Sequence, residues 1–358
     1  MPKTAYLILE NGKVFKGKTF GAEREVLGEL VFNTGMTGYL EILTDSSSYG
    51  QVILQTFPLI GNYGKISADF ESDSVKAAAY IVKAWCEEPS NFRCEGNLDT
   101  FLKSENIPGL YGIDTRAVTK IIRNNGAMNC KIAHSADNID IDEIKNHKKS
   151  RLIEGVSCAS IQEFKIIGNK YHVLILDCGM KESLKQRLLR AGCDVTVVPY
   201  NTSTEQIKAL APNGIIISHG PSDPVENADI IASVKDIANL GIPTLGIGLG
   251  HQLLALAHGF KTQKMQHAHR GANQPVKHLK DGRLYTTNQN HGYTVLKDSV
   301  DTSVAFVSFE NVTDKTCEGL EYIAKPVFST EFYPEPIIDS AQNTSFIFDK
   351  FIAAMNKA

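Results

Sequence analysis

Gly246-Ile247-Gly248-Leu249-Gly250-His251-Gln252 is the stretch that decides how the second half of this chain is expected to fold. The apolar run 242–245 precedes it and the amphipathic run 253–258 follows it, which predicts a strand, a sharp turn and a helix. This layout is typical of a nucleophile elbow, whose central residue has a strained positive φ. The central residue here is Gly248, which has no side chain to act as a nucleophile. An ordinary strand-to-helix turn of an α/β domain would also contain glycines, so the stretch alone does not separate the two interpretations.

Alternating strands and helices surround the elbow from residue 171 onward. Strands are predicted at 173–177, 195–198 and 215–218, and helices at 181–190, 204–210 and 226–240. Serial βα units of this kind predict an α/β domain with a parallel, doubly wound sheet. Sites in such sheets lie at the carboxyl ends of the strands, where the elbow and the loop 219–224 both fall.

The first 150 residues have a different pattern. The runs 5–9 and 13–17, joined by Asn11-Gly12, predict a hairpin. The stretch 34–50 is dense in Gly, Ser and Thr and predicts a loop. Asp114 or Thr115 can cap a helix that starts near residue 117. We therefore predict domains at 1–150 and 171–358, joined by a linker at 151–170 that has no clear period.

Composition excludes several classes of function. Hydrophobic residues make up 42% of the 358 residues, charged residues 22%, and the net charge is −3. This charge gives no electrostatic reason to expect binding to nucleic acid or to an anionic membrane. No uncharged apolar run approaches the ~20 residues that span a bilayer. Seven dispersed cysteines with no CxxC pair favour a reducing, cytoplasmic location.

Motifs in both halves resemble the small, glutaminase subunit of carbamoyl-phosphate synthetase, whose second domain is a class I, triad-type glutamine amidotransferase. The resemblance implies an N-terminal mixed β/α domain followed by a flavodoxin-like, doubly wound domain. The motif most specific to that family is Gly-Ile-Asp-Thr-Arg at 112–116. The other matching runs are 33–51, 62–64, 219–224, 246–252, 269–276, 287–293 and 328–335.

The resemblance also implies which catalytic residues are missing. In the family, the elbow has a cysteine at the position of Gly248. A separate motif near the C-terminus of the domain has a histidine, the general base, at the position of Tyr333. Glu335 matches the glutamate that orients this base. A tyrosine, with a reference pKa of about 10, is a poor base at neutral pH. Both replacements therefore predict a chain without glutaminase activity of its own.

The positions that would contact glutamine in the family are mostly retained. In the loop 219–224, His219 replaces an asparagine of the family and Ser222 replaces a glycine. The side chain of Ser222 is expected to leave a ligand less room to approach the backbone of this loop than a glycine would. The implied substrate-binding positions are Ser47, Gly220, Ser222, Leu249, Gln252, Asn290, Gly292 and Tyr293.

No metal or cofactor is expected in this chain. His267 and His269 could suggest ligands, but no carboxylate or cysteine stands beside them at ligand spacing. The resemblance assigns ATP and Mg²⁺ to a large synthetase subunit, which is the expected partner.

Three functions remain open from the sequence. The first is a structural or regulatory small subunit that leaves carbamoyl phosphate synthesis, for arginine and pyrimidines, dependent on free ammonia. The second is an active glutaminase with an unrecognised nucleophile, for which Cys178 is a candidate, although a small buried hydrophobe is the simpler interpretation of that residue. The third is a regulator that binds glutamine without turnover.

Overall fold

The computed structural model describes residues 2–148, 150–335 and 344–357. The chain divides into two compact units. The first unit comprises Met1–Ser150 together with Gln266–Arg270, and the second comprises Arg151–Met265 with Gly271–Ala358. The short segment 266–270 therefore packs with the first unit although it lies far along the chain.

Seven strands of the first unit close into a barrel of order β1-β2-β8-β6-β4-β3-β9. The pairs β3–β4, β4–β6 and β6–β8 are parallel, and the other pairs are antiparallel, so the sheet is mixed. The elements are β1 (Thr4–Leu9), β2 (Val14–Gly21), β3 (Val26–Asn33), α1 (Tyr39–Thr44), β4 (Gln51–Gln55), β5 (Leu59–Ile60), β6 (Ala79–Val82), β7 (Ala84–Trp85), α2 (Leu98–Ser104), β8 (Pro108–Tyr111), α3 (Thr115–Asn125), β9 (Met128–Ala133) and α4 (Ile141–Lys145).

The predicted hairpin is confirmed as β1 and β2, which pair antiparallel around a turn in which Gly12 has a φ of 82°. Successive side chains of a strand point to opposite faces of the sheet, and each face of this sheet packs against an apolar layer. Leu30 and Val52 pack with α3, whereas Val31 and Ile53 pack with α1 and α2. Both faces of these strands are therefore buried.

The prediction of a loop over 34–50 is wrong, because α1 lies inside it. Gly38, with a φ of 81°, precedes the helix and supplies no side-chain cap. Leu40 and Leu43 are buried, and the Tyr39 hydroxyl donates to the Gly64 carbonyl at 2.5 Å. Tertiary burial of three side chains thus outweighs the local preference of a segment rich in Gly, Ser and Thr.

The second unit contains a ten-stranded sheet of order β10-β12-β11-β13-β14-β19-β18-β17-β15-β16. The five strands β12-β11-β13-β14-β19 are mutually parallel, with the flavodoxin-like 2-1-3-4-5 order. The elements are β10 (Gln162–Phe164), β11 (Tyr171–Asp177), α5 (Glu182–Arg190), β12 (Cys193–Pro199), α6 (Thr204–Ala209), β13 (Gly214–Ile217), α7 (Ala228–Ala238), β14 (Thr244–Ile247), α8 (Leu249–Ala257), β15 (Thr262–His278), β16 (Leu284–Val295), β17 (Ala305–Asn311), β18 (Cys317–Tyr322), β19 (Val327–Thr330) and α9 (Phe346–Met355).

Helices cover both faces of the parallel strands. On β11, Val173 and Ile175 pack with α5 and α9, whereas Leu174 and Leu176 pack with α6, α7 and α8. Burial on both faces explains why these strands read as unbroken apolar runs. This confirms the α/β, doubly wound architecture.

No helix within the described ranges is long and apolar enough to cross a bilayer.

Candidate active site

The structure has the strand, turn and helix that the elbow sequence predicts, formed by β14, Gly248 and α8. Gly248 adopts a φ of 56° and a ψ of −113°, a conformation that costs a residue with a Cβ about 1–3 kcal/mol. The Gly248 N–H donates to the Thr330 carbonyl of β19 at 2.9 Å. The strained geometry of an elbow is therefore present around a residue without a side chain.

A Cβ at position 248 has room, although the backbone conformation there is strained for any residue other than glycine. An ideal Cβ would lie 3.4 Å from Tyr333 Cε1, and 3.9 Å from both the Glu331 carbonyl oxygen and His219 Cα. These are ordinary van der Waals distances, so the lack of a nucleophile is not imposed by crowding.

Tyr333 fills the place next to the elbow. Its side chain is buried, and its hydroxyl lies 3.5 Å from the Asn290 carbonyl oxygen. The Lys181 ammonium lies 4.7 Å from the centre of the Tyr333 ring, within cation–π range. By its reference pKa, a phenol at this place is a poorer general base at neutral pH than the histidine of the family pattern.

The imidazole of His219, which follows β13, lies beside the retained glutamate. His219 Nε2 is 3.2 Å from Glu335 Oε1, and both side chains are almost fully buried. The His219 ring also packs edge-on against the Tyr333 ring, with centroids 4.5 Å apart. The elbow thus has a His–Glu pair, with the histidine on a different strand end from the one that the family resemblance implies.

The carboxyl of Glu335 is ionised at neutral pH. Burial acts to raise its pKa, but the neighbouring His219 and Lys181 more than offset this, so the pKa lies below its usual value. Burying a charged carboxylate is costly, and the neighbouring imidazole and ammonium groups offset part of that cost.

The loop after β13 approaches the backbone at the end of β11 closely. A Cβ on Gly220 would lie 2.1 Å from the Cys178 carbonyl oxygen, so this position requires glycine. Ser222 has a φ of 106°, in the region that favours glycine. The Asn227 side-chain amide donates to Ser222 Oγ at 2.9 Å, which holds the strained residue in place.

The remaining sequence-predicted positions of the second unit divide into two groups. Gln252 uses its amide internally, donating to both carboxylate oxygens of Glu331 and to the Tyr293 carbonyl. Leu249 is buried at the start of α8, while Asn290, Gly292 and Tyr293 lie half-buried on β16. Gln252 therefore has a structural role whether or not the others contact a ligand.

Ser47 belongs to the first unit. It lies in a buried 3₁₀ turn, Ser46–Ser48, where its N–H donates to Asp45 Oδ1 at 2.8 Å.

Cys178 follows β11 and is fully buried in the apolar core. Burial, with a smaller contribution from Asp177, raises the pKa of its thiol well above the usual value. The Cys178 side chain is thus a small core hydrophobe in its surroundings, and reactive cysteines have the opposite features.

Sequence reasoning missed the pairing of His219 with Glu335. The available signal was the sheet order: in a doubly wound sheet, residues that follow strands on either side of the elbow strand meet at the same edge. The replacement of an asparagine by His219, together with the absence of a histidine at 333, was the second signal.

Comparisons with known proteins agree with this architecture. Residues 7–132 match the family model described as "Carbamoyl-phosphate synthase small chain, CPSase domain", and residues 174–354 match "Glutamine amidotransferase class-I". The chain is similar to the carbamoyl phosphate synthase small chain of Clostridium perfringens, with 43% identity over 97% of this chain and 98% of that one. It is 44% identical to the small chain of Fusobacterium nucleatum, over 97% of this chain and 96% of that one. It is also 43% identical to the pyrimidine-specific small chain of Halalkalibacterium halodurans, over 98% of this chain and 96% of that one.

Proposed function

The chain belongs to the carbamoyl phosphate synthase small chain family, and we propose that it acts there as a structural or regulatory chain without glutaminase activity of its own. Its partner is a large synthase chain, which would bind ATP and Mg²⁺ and use free ammonia. The complex would work in the cytoplasm and supply carbamoyl phosphate for pyrimidine or arginine synthesis.

The observation that carries the proposal is Gly248, which leaves the elbow without a nucleophilic side chain. Hydrolysis of the glutamine side-chain amide by a triad needs a thiolate to attack the carbonyl, and an acid to protonate the departing ammonia. The elbow has neither a thiol nor a histidine at the family positions. In a comparable triad, loss of the nucleophile alone removes nearly all of the rate that the triad provides.

A replacement nucleophile at Cys178 is not supported. Its thiol is buried and its pKa is raised, so the thiolate fraction at neutral pH is negligible. The backbone around it is also fixed, since the Cys178 N–H donates to Ser218 Oγ at 2.9 Å.

Glutamate release from glutamine by the purified chain tests the proposal. The assay is run with and without the large chain encoded in the same organism, and a class I amidotransferase that has an elbow cysteine serves as the positive control. We expect release from this chain to stay at least about 10⁴-fold below that control. In parallel, the complex is expected to make carbamoyl phosphate from ammonium salts but not from glutamine.

Glutamine turnover by the wild-type chain at an ordinary enzymatic rate would overturn the proposal. Calorimetric titration of glutamine separates the remaining alternatives, because heat of binding without glutamate release is the result that a glutamine-binding regulator would give.

A further inference from the structure

The His219–Glu335 pair is unusual among the buried polar groups of this molecule. Both side chains are nearly inaccessible to water, yet neither ring nitrogen of His219 has a well-aligned hydrogen bond within the described residues. Unsatisfied buried polar groups are rare in folded proteins, and strain, a catalytic role or a bound water accounts for those that occur. The close but poorly aligned contact with Glu335 resembles catalytic hydrogen bonds in enzymes without substrate.

The position of this pair follows from the sheet order. Strand β14, which leads into the elbow, lies between β13 and β19. His219 follows β13, and Glu335 follows β19, so the two residues flank the elbow from either side. The place of a Cβ on residue 248 lies 3.9 Å from His219 Cα and 3.4 Å from Tyr333 Cε1. The His219 imidazole packs edge-on against that Tyr333 ring, with centroids 4.5 Å apart.

From this geometry we infer that His219 is a relocated proton acceptor, oriented by Glu335, and that the elbow lacks only its nucleophile. The inference goes beyond the proposed function and rests on it only in taking position 248 as the lost nucleophile. A thiol at 248 would give its proton to the imidazole, and the resulting imidazolium would face the Glu335 carboxylate. Tyr333 then serves as a packing surface for the ring and not as a failed base.

The decisive variant is Gly248→Cys in the otherwise native full-length chain. Its thiol is titrated by the rate of reaction with methyl methanethiosulfonate between pH 5 and 9, which transfers a methylthio group to the thiolate and releases methanesulfinate. Mass spectrometry of the peptide that contains residue 248 separates this thiol from the native cysteines. Gly248→Ala, with the same backbone strain and no thiol, reports whether the elbow tolerates a Cβ.

We expect the thiol introduced at position 248 by G248C to react with an apparent pKa about one unit or more below the reference of about 8.5. Adding His219→Asn, the residue of the family pattern at this position, is expected to slow the reaction at pH 7 by about tenfold or more. Adding Glu335→Gln should slow it by a smaller factor, because the imidazole remains but loses its orienting charge. Adding Tyr333→Phe should change it little, since only the hydroxyl is removed.

Equal rates at pH 7 in G248C and G248C/H219N would overturn the inference. If G248C and G248A both fail to fold, a double-mutant cycle of His219→Asn and Glu335→Gln in the native chain replaces the titration. Non-additive shifts of the thermal midpoint support the pair, and additive shifts refute it. These measurements need neither glutamine nor the large chain. A negative result here would therefore leave the proposed function standing, because only glutamate release by the wild-type chain would overturn that function.

Discussion

Ser222 has a backbone conformation that favours glycine, since its φ is 106°. The family pattern has glycine here, and the sequence alone predicts only that serine narrows the loop. The structure adds that the serine is strained, at a cost of about 1–3 kcal/mol. Three acceptors, Ser222 Oγ and the Asp223 and Pro224 carbonyls, lie within reach of the Asn227 amide, so loss of the hydroxyl would leave that amide bonded.

Ser222→Gly is therefore expected to stabilise the chain by about 1 kcal/mol, because relief of strain exceeds the gain in unfolded-state entropy. Urea unfolding gives the free energy. Ser222→Ala is the matched control, since it removes the same hydroxyl and retains the strained Cβ; it should be neutral or destabilising. A glycine variant no more stable than the alanine variant would contradict this account.

At the scale of the element, α3 shows how a local signal can be sufficient. The sequence left Asp114 and Thr115 as alternative caps, and the structure selects Asp114, whose carboxylate accepts from the Ala117 N–H at 2.9 Å. Val118 and Ile122 then face the barrel strands, while Lys120 and Arg123 remain exposed. Cap and apolar spacing agree, so the helix forms where both predict it.

Replacing Asp114 by alanine should destabilise the chain by about 1 kcal/mol, because it leaves an N–H at the start of α3 without its acceptor. Asp114→Asn retains an acceptor and should differ from the wild type by only a few tenths of that value. Chemical denaturation of the three proteins side by side checks the order. Equal losses in both variants would mean that charge, and not the cap, is what matters.

At the scale of the whole molecule, each unit has its own buried clusters. The barrel packs around residues such as Leu30 and Val31, and the doubly wound sheet around residues such as Leu174 and Ile175. A chain with two cores of this size is expected to depart from two-state unfolding.

Scanning calorimetry of the full chain is therefore expected to resolve two transitions. Asp114→Ala should lower only the one that belongs to the first unit, and Ser222→Gly should raise only the other. Together the two variants assign the transitions without cutting the chain, which matters because 266–270 packs with the first unit. A single transition that both variants shift would show that the units unfold as one.

The sequence by itself determined the features that depend on neighbours along the chain. The elbow follows from an apolar strand, closely spaced glycines and an amphipathic helix; the parallel sheet follows from serial βα units; and the hairpin follows from Asn11-Gly12. The absence of a thiol at 248 and of a histidine at 333 is likewise evident from single positions of recognisable motifs.

Only the tertiary structure decided what depends on which strands are neighbours. Helix α1 forms because Tyr39, Leu40 and Leu43 are buried, although its own residues favour a loop. His219 meets Glu335 because β13 and β19 flank β14, an order fixed by strand pairing and burial on both faces of the sheet. Distances between side chains at the ends of separate strands have no signature in local periodicity, which is why the sequence shows a missing base while the structure shows an imidazole beside the elbow.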